Sequence, residues 1–348
     1  MRALKYAVAL RGSVPGVRLW FGYQGRTLGE LYGVGDDLFE GWIRLGLAPG
    51  PGLRRAIARV RPDILHSHNL PDELTVAAQE EAAGRVPVIH DVHDFQSLRA
   101  TPYEDGFPEP ADPLGLERRA VEASDGLLAV SDELMAEIGA RYRMPERRLA
   151  FPNYAVRGHL PPDLPSPDRP LGPRPRIAYQ GTLSVNGGHY DLRDLFRRIV
   201  AGGASLDVYS ARPQEAYRAL AEDVPGMRYH DPLAPAALMR ELPRYDFGWA
   251  GFNARRNARH LDTALPNKAY DYLACGLPVL TLGHRALARL VRDEGVGVVL
   301  DSPDDLGRRL RALDLPALRR RVAESRERLT VERNIARVLA FYREVAGA

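Results

Sequence analysis

Short apolar runs alternate with longer amphipathic segments along most of this chain. Apolar runs of about four residues between polar or glycine positions predict β-strands, whereas apolar residues repeated every three or four positions predict helices. The predicted strands are residues 17–23, 63–66, 86–89, 126–130, 176–179, 206–209, 246–249, 278–281 and 296–300. Strands that alternate with helices are typical of parallel sheets covered by helices, so we predict an α/β protein.

A proline-dense stretch divides the chain into two halves. Residues 160–175 have the sequence LPPDLPSPDRPLGPRP, which is incompatible with a helix or a central strand. The 348 residues of the chain also suffice for two domains of ordinary size. We therefore expect a doubly wound domain at 1–160, a linker at 161–175 and a second doubly wound domain at 176–331. Such sheets bind ligands at the carboxyl ends of their strands.

The most informative segment is residues 265–280, with the sequence LPNKAYDYLACGLPVL. Asn267 is placed to cap a helix, Lys268 then lies in the first turn, and Asp271 follows one turn later. A cation is unfavourable at a helix N-terminus unless an anion such as a diphosphate binds there. Alternatively, Lys268 and Asp271 form an ordinary exposed ion pair three residues apart.

The same segment resembles a signature of bacterial glycosyltransferase family 4, P-x-K-hydrophobic-x-E-Y-L-A-x-G-x-P-V. Residues 53–66, 117–131 and 152–153 resemble further segments of that family. Residues 332–348 resemble its last helix, which crosses back to the first domain. The resemblance implies the GT-B fold, in which two Rossmann-like domains face a cleft.

The resemblance also implies a reaction, the transfer of a sugar from a nucleotide diphosphate donor to a hydroxyl-bearing acceptor with retention of configuration. Asp271 is expected to bind the ribose hydroxyls of the donor. Lys268 is expected to lie near its diphosphate and to act in catalysis, and Asn267 to belong to the same nucleotide-sugar site. Front-face attack needs no protein nucleophile, and we expect no metal and no other cofactor. A lipid-linked molecule or a polysaccharide is the candidate acceptor. A sugar-nucleotide epimerase and a non-catalytic binding protein of the same fold are the alternatives.

Histidines and aspartates cluster after two predicted strands of the first half, at residues 66–68 and 90–94. Such clusters are common metal ligands, so a hydrolase with a metal-activated water is one hypothesis, and simple capping of strand ends is another. The second half of the sequence offers no matching set, which disfavours a metal site. The resemblance instead implies that His93 and Asp94 are catalytic and that His68, Asp91 and His93 line the acceptor side.

Glycines follow the first strand of the second half, in the loop at residues 180–189. Backbone amides at Gly181, Thr182, Gly187 and Gly188 are suited to hold a phosphate, although an ordinary strand-to-helix loop has the same composition. Many family members neutralise the diphosphate with an Arg and a Lys in this loop, and neither is present here.

The missing charge is expected from a second loop. Arg255 and Arg256, together with Arg259, follow the predicted strand at 246–249 and reach the same sheet edge. A solvated basic loop is the alternative interpretation. The family also has an acid eight positions before the ribose-binding one, where this chain has Thr263, and the neighbouring Asp262 is a candidate substitute.

The amino terminus departs from the family, whose members begin with a central strand. Residues 1–10 predict a helix, with Leu4, Ala7 and Leu10 at helical spacing, and the first predicted strand begins at Val17. The first domain is therefore expected to be short at this end. Three explanations are open: the start has been lost, the sheet is completed differently, or a partner chain completes it in an oligomer.

Composition narrows the protein class further. A formal net charge of +3 is too small to indicate nucleic-acid binding, but it permits weak attraction to an anionic membrane surface. The sequence contains neither a long apolar run nor a signal-peptide core, and the single cysteine, Cys275, cannot form an internal disulfide. We therefore expect a cytoplasmic protein with peripheral contact to the inner membrane face.

Overall fold

The computed structural model describes residues 2–33, 35–70, 72–100 and 110–347. The chain forms two compact units, residues 1–152 together with 331–348, and residues 153–330. Both units are built from parallel strands connected by helices, which confirms the α/β prediction. The strands predicted from the sequence are all present, with shifted ends, and three further short strands are found at 41–44, 148–150 and 227–230.

The strands of the first unit form two separate parallel sheets. Up to residue 150 its helices and strands are α1 (Arg2–Ser13), β1 (Trp20–Tyr23), α2 (Leu28–Tyr32), β2 (Gly41–Arg44), α3 (Pro49–Val60), β3 (Leu65–His68), α4 (Asp72–Ala82), β4 (Val88–Val92), α5 (Pro113–Glu122), β5 (Gly126–Ala129), α6 (Asp132–Gly139) and β6 (Arg148–Ala150). Strands β1 and β2 form one sheet, and β3, β4, β5 and β6 pair in that order in the other. The carboxyl ends of β3 and β4 therefore lie side by side, with His68 opposite Asp91.

The second unit contains one sheet of six parallel strands. Its helices and strands are β7 (Arg176–Gly181), α7 (Arg193–Ala201), β8 (Ser205–Ser210), α8 (Glu215–Asp223), β9 (Met227–His230), α9 (Pro235–Glu241), β10 (Phe247–Trp249), α10 (Ala258–Thr263), α11 (Asn267–Ala274), β11 (Val279–Leu282), α12 (Arg285–Glu294), β12 (Gly297–Leu300), α13 (Leu306–Arg311) and α14 (Leu315–Ser325). The strand order is β12-β11-β10-β7-β8-β9. The order reverses between β7 and β10, and open α/β sheets bind ligands at the carboxyl end of such a reversal.

The core of the second unit forms because helix residues spaced by three and four positions face the sheet. In α7, Leu195, Phe196, Ile199 and Val200 are buried in the cluster that contains Ile177 of β7. Burial of each large apolar side chain stabilises the unit by roughly 1.5–3 kcal/mol. The edge formed by β7 and β10 is therefore part of a well-packed layer.

The helix predicted at the amino terminus is confirmed as α1. It packs against α15 (Val331–Ala346), the last helix of the chain, which belongs to the same unit. Tyr6 and Ala9 of α1 are 4% and 0% exposed, so this helix is buried on more than one face. A helix enclosed in this way contributes to the core of the first unit, and its polar residues must find partners inside it.

Candidate functional site

Helix α11 begins at Asn267, one residue earlier than it would if Asn267 were the cap. The cap residue is Pro266, whose carbonyl accepts the first helical hydrogen bond from the Ala269 amide at 3.1 Å. The predicted cap is therefore wrong, because Pro266 already has the extended backbone that precedes a helix. Lys268 lies in the first turn, as predicted.

The side chain of Lys268 is buried, with 8% of its surface exposed. Its ammonium donates a hydrogen bond to the Tyr179 hydroxyl at 3.1 Å, and it lies 4.2 Å from the centre of the Tyr179 ring and 4.8 Å from that of Phe252. Burial lowers the pKa of Lys268 to about 7. The interpretation of Lys268 and Asp271 as an exposed ion pair is therefore wrong.

Tyr179, near the carboxyl end of β7, orients this lysine. Its hydroxyl donates to the Thr182 carbonyl at 2.6 Å, so a lone pair on the same oxygen is directed at the Lys268 ammonium. Gly181 lies beside them, and a Cβ added there would stand 3.2 Å from the Lys268 nitrogen. The lysine thus ends against the first glycine of the loop at 180–189.

Asp271 is half-buried and lies at the same end of β7. The Gln180 side-chain amide donates to its carboxylate at 3.1 Å. The neighbouring Tyr272 hydroxyl accepts a hydrogen bond from the backbone amide of Gln180 at 2.9 Å. It donates to the Trp249 carbonyl at 3.2 Å, so it links β7 to β10. Tyr272 reaches this position because β10 has Gly248, where a Cβ would lie 2.2 Å from its ring.

Two glycine amides in the loop at 180–189 already donate hydrogen bonds within the protein. The Gly187 amide donates to the Asp191 carboxylate at 3.1 Å, and the Gly188 amide donates to the Asn186 side chain at 2.9 Å. The expectation that these two amides are free to hold a phosphate is therefore wrong. Gly187 has φ +74°, a left-handed conformation that favours glycine, so it shapes the turn.

The loop that contains Arg255 and Arg256 is joined to the glycine loop. The Asn253 amide donates to the His189 carbonyl at 3.2 Å, and the Asn253 side chain donates to the Asp191 carbonyl at 3.1 Å. The Arg256 guanidinium carbon lies 3.8 Å from the position that a Cβ on Gly187 would take. Arg255 and Arg256 are both exposed. The structure thus brings Arg256 next to the loop that lacks its own cations.

Asp262, the candidate substitute for the missing acid, is engaged by the start of the next helix. The Asp262 carboxylate accepts a hydrogen bond from the Arg285 amide at 3.1 Å, at the start of α12. Thr263 is 2% exposed, and its hydroxyl donates to the His260 carbonyl. Asp262 thus stabilises the start of a helix.

In the first unit, Asp91 at the end of β4 is fully buried beneath its neighbours. Its carboxylate accepts from Arg2 Nε at 2.8 Å and lies 3.1 Å from His66 Nε2 and 3.2 Å from His68 Nδ1. Burial alone raises the pKa of Asp91, but Arg2 and the two histidines hold it well below its usual range. Because Asp91 has no exposed surface, the expected contact with an acceptor does not fit.

The geometry of the same cluster bears on the hypothesis that these residues bind a metal ion. Ligand atoms of His66, His68 and Asp91 lie within 4.8 Å of one another, close enough to surround one ion. However, the Arg2 guanidinium is 2.8 Å from Asp91 and already supplies the positive charge. The His66 Nδ1 atom is also engaged, 2.6 Å from the Tyr342 hydroxyl of α15. These residues therefore form a structural cluster around the Arg2–Asp91 ion pair, and the cluster does not fit a metal.

His93 and Asp94 follow β4 directly and are partly exposed. The Asn69 side-chain oxygen accepts from the His93 amide at 3.0 Å and the Asp94 amide at 3.4 Å, so it holds this segment against the end of β3. Burial lowers the pKa of His93, which keeps its ring neutral at pH 7. Among the described residues, nothing accepts from or donates to its buried Nδ1 atom. His93 thus has a neutral, half-buried ring at the end of β4.

Two family descriptions match the chain. Residues 5–154 match the glycosyl transferase 4-like domain, and residues 194–334 match the C-terminal domain of the glucosyltransferase 3-like kind. No protein of curated function matches the chain at the level of sequence.

Solved glycosyltransferase structures share the fold. Sucrose-phosphate synthase (tll1590) from Thermosynechococcus elongatus has a TM-score of 0.69 at 14% identity, covering 99% of this chain and 92% of that one. Anabaena Alr3699/HepE in complex with UDP has a TM-score of 0.67 at 12% identity, covering 97% and 96%. WaaG, a glycosyltransferase involved in lipopolysaccharide biosynthesis, has a TM-score of 0.61 at 14% identity, covering 100% and 95%.

The chain is a family 4-like glycosyltransferase with the GT-B fold. The predicted family and fold are thereby confirmed. No helix in the described part of this glycosyltransferase is both long and apolar enough to cross a membrane.

Several site residues of this glycosyltransferase are absent from the sequence-based predictions. Tyr179, Gln180 and Phe252 surround Lys268 and Asp271, and Arg2 pairs with Asp91. Tyr179 and Gln180 stand at the end of a predicted strand, so their position was a usable signal. Arg2 is 89 positions from Asp91, and nothing in the local pattern connects the two residues.

Proposed function

We propose that this glycosyltransferase moves a sugar from a nucleoside diphosphate donor to a hydroxyl group of its acceptor, with retention of configuration. The main support is the buried ammonium of Lys268 near the carboxyl end of β7. Among the described residues no carboxylate pairs with it, and burial alone accounts for its lowered pKa. A buried charge of this kind is unfavourable unless a ligand brings the opposite charge.

The composition of the chain makes this lysine more informative. The sequence has 48 basic residues, and only Lys5 and Lys268 among them are lysines. Lysine differs from arginine because burial shifts its pKa readily and its ammonium is a compact point charge. Together with the positive end of the α11 dipole, Lys268 favours an anion beside Gly181, where the donor diphosphate is proposed to bind.

Asp271 is proposed to bind the ribose of the donor. Its carboxylate lies one turn after Lys268 and accepts a hydrogen bond from the Gln180 side chain at 3.1 Å. A carboxylate has about four lone-pair positions, so it can also accept from both hydroxyls of a ribose diol. Gln180 is thereby a positioning residue for Asp271.

The proposed reaction breaks the bond between the anomeric carbon and the diphosphate oxygen and forms a bond from that carbon to the acceptor oxygen on the same face. The acceptor proton passes to the departing diphosphate. Lys268 stabilises the negative charge that develops on that leaving group, and Arg255 and Arg256 add to the local positive potential. No protein nucleophile, metal or other cofactor is required for this sequence of steps.

The acceptor is proposed to bind to the first unit, where His93 and Asp94 present polar groups at the end of β4. His68 lies beside them at the end of β3, with its ring 23% exposed. A polysaccharide or lipid-linked acceptor is supported by the similarity to WaaG, which is involved in lipopolysaccharide biosynthesis. A cytoplasmic location with peripheral membrane contact, and completion of the first unit by a partner chain, are further proposals.

A thermal-shift screen tests the donor proposal. Uridine, guanosine, adenosine and thymidine diphosphates and their sugars are added in turn, and a ligand at 100 times its Kd is expected to stabilise the protein by roughly 2.7 kcal/mol. Asp271→Ala should abolish the shift, whereas Asp293→Ala, an exposed aspartate on α12, should leave it intact. If none of these compounds shifts the melting temperature, the proposal is contradicted.

Turnover assays separate the alternatives. Consumption of the donor only when an acceptor is present supports transfer. Consumption of an intact nucleotide sugar without any acceptor indicates an epimerase. Binding without any turnover indicates a binding protein of the same fold. The configuration of the product, read by NMR, decides between retention and inversion.

A further inference from the structure

Two loops of the second unit enclose a surface cavity of about 300 Å³. One wall comes from residues 187–197 and the other from residues 253–256. The charged residues of these walls are Asp191, Arg193, Asp194, Arg197, Arg255 and Arg256. Four arginines against two aspartates give the lining a formal net charge of +2. The cavity is therefore electropositive.

Only part of this charge is neutralised within the protein. Arg193 forms two hydrogen bonds with Asp191, at 2.9 and 2.7 Å, and this contact is the main reason why the pKa of Asp191 is lowered. Arg255 lies 3.5 Å from Asp194, a longer and more exposed contact. One arginine is thus fully paired and a second only weakly.

Arg197 and Arg256 supply the excess charge. Both are exposed, and neither forms an ion pair or a hydrogen bond with any described residue. The guanidinium of Arg256 is directed to the Gly187 side of the cavity, 3.8 Å from the position of a Cβ on that glycine. Like charges held near one another repel in the free protein, and an anion bound between them relieves this repulsion.

The two walls are also fixed relative to each other. Asn253 bonds to the His189 and Asp191 carbonyls, and the buried Asn257 side chain lies 3.0 Å from His189 Nδ1. Arg193 donates to the Val185 carbonyl at 3.2 Å. A site whose walls are already held in place loses little conformational entropy when it binds a ligand.

We propose that this cavity binds a phosphoryl group of a substrate between Arg197 and Arg256. The planar guanidinium has N–H groups spaced to match the oxygens of a phosphoryl group, which makes paired arginines a favourable phosphoryl site. The group belongs either to the donor diphosphate or to a phosphate elsewhere on a substrate. The first source rests on the proposed function, whereas the anion site itself is independent of it.

Isothermal titration calorimetry with inorganic pyrophosphate, at low salt, tests the anion site. The wild-type protein should bind pyrophosphate, and Arg256→Ala should weaken binding about tenfold, since a charge-assisted hydrogen bond is lost. Arg197→Ala combined with Arg256→Ala should weaken it further. Arg256→Lys keeps the charge but not the planar fork, so an intermediate affinity is expected. Arg240→Ala, an exposed arginine of α9 outside the cavity, is the matched control and should bind like the wild type.

A second titration identifies the source of the phosphoryl group. If the cavity holds the donor diphosphate, uridine diphosphate or another nucleoside diphosphate that binds should displace pyrophosphate, and Arg256→Ala should weaken both ligands. If it holds a different phosphate, pyrophosphate should still bind to protein saturated with the nucleotide. Either result supports the anion site.

Two outcomes overturn the proposal. One is that wild-type protein does not bind pyrophosphate. The other is that Lys268→Met abolishes pyrophosphate binding while the double arginine variant binds normally, which places the anion at Lys268. By contrast, binding of pyrophosphate without binding of any nucleoside diphosphate contradicts the proposed function and leaves the anion site standing.

Discussion

The Lys268 ammonium lies 3.1 Å from the Tyr179 hydroxyl and 4.2 Å from the centre of the same ring. Both contacts favour the charged lysine, but they replace only part of the hydration that is lost on burial. The pKa of Lys268 consequently falls to about 7, so small changes in pH around neutrality change the charge of its side chain.

Donor binding is therefore expected to be linked to a proton. A diphosphate favours the charged lysine, so binding above pH 7 should take up a proton and the affinity should fall between pH 7 and pH 9. Calorimetry in two buffers of different ionisation enthalpy measures the uptake. Lys268→Met should abolish it and weaken binding about tenfold. An affinity that is the same at pH 7 and pH 9 contradicts this role for Lys268.

The stability of the free protein should also depend on Lys268. Its folded pKa is about 7, below the unfolded value of about 10.4. Between these values the unfolded chain binds more protons, so the free energy of unfolding should rise with pH. The difference between the wild type and Lys268→Met should change by on the order of 3 kcal/mol between pH 7 and pH 10, as measured by urea unfolding.

A direct titration provides the control for both predictions. The sequence contains only two lysines, Lys5 and Lys268. Reductive methylation with ¹³C-formaldehyde therefore gives two lysine signals, and Lys268→Met assigns them. A signal of Lys268 that titrates near pH 10 in the folded protein contradicts the lowered pKa.

The sequence predicts the strands and the site edge well, because both depend on local patterns. Strands such as 176–179 and 278–281 are apolar runs with clear ends. The missed strand at 41–44 is short, and the one at 227–230, with the sequence MRYH, is half polar, so neither shows the apolar pattern. Local pattern suffices for most of the fold.

The side-chain contacts of the site are less predictable. The Arg2–Asp91 pair and the approach of Arg256 to Gly187 join residues far apart in the sequence, and only packing determines them. The amides of Gly187 and Gly188 were expected to be free, but side chains of neighbouring residues compete for them. Burial of Lys268 likewise depends on Tyr179 and Phe252 from two different strand ends.

His93 is expected to act on the acceptor side of the reaction. Burial lowers its pKa, so its ring is neutral at pH 7, and we expect it to hydrogen-bond a hydroxyl of the acceptor. His93→Ala should lower kcat about 100-fold and leave the Kd of the nucleoside diphosphate unchanged. His159→Ala, which removes an exposed histidine, is the matched control. Equal loss of donor affinity in His93→Ala indicates a structural role instead.

Asp246, just before β10, is expected to stabilise the second unit. It is 5% exposed, and its carboxylate accepts from Arg169 at 2.7 Å, from Arg319 at 2.9 Å and from the Arg176 amide at 2.9 Å. Arg319 is only 7% exposed, so Asp246→Ala leaves a buried guanidinium without its carboxylate. Breaking a buried ion pair from one side costs about 3–5 kcal/mol.

Urea unfolding at pH 7 measures this loss, and a paired control separates burial from charge. Asp168→Ala also removes a carboxylate that pairs with an arginine, Arg320, but there both side chains are more than half exposed. Solvent screens such pairs, so this variant should change the free energy of unfolding by less than about 1 kcal/mol. Asp246→Ala together with Arg319→Met should recover part of the lost stability, because the unpaired buried charge is removed as well. Equal effects of the two single aspartate variants contradict the assignment of Asp246 as a buried ion-pair centre.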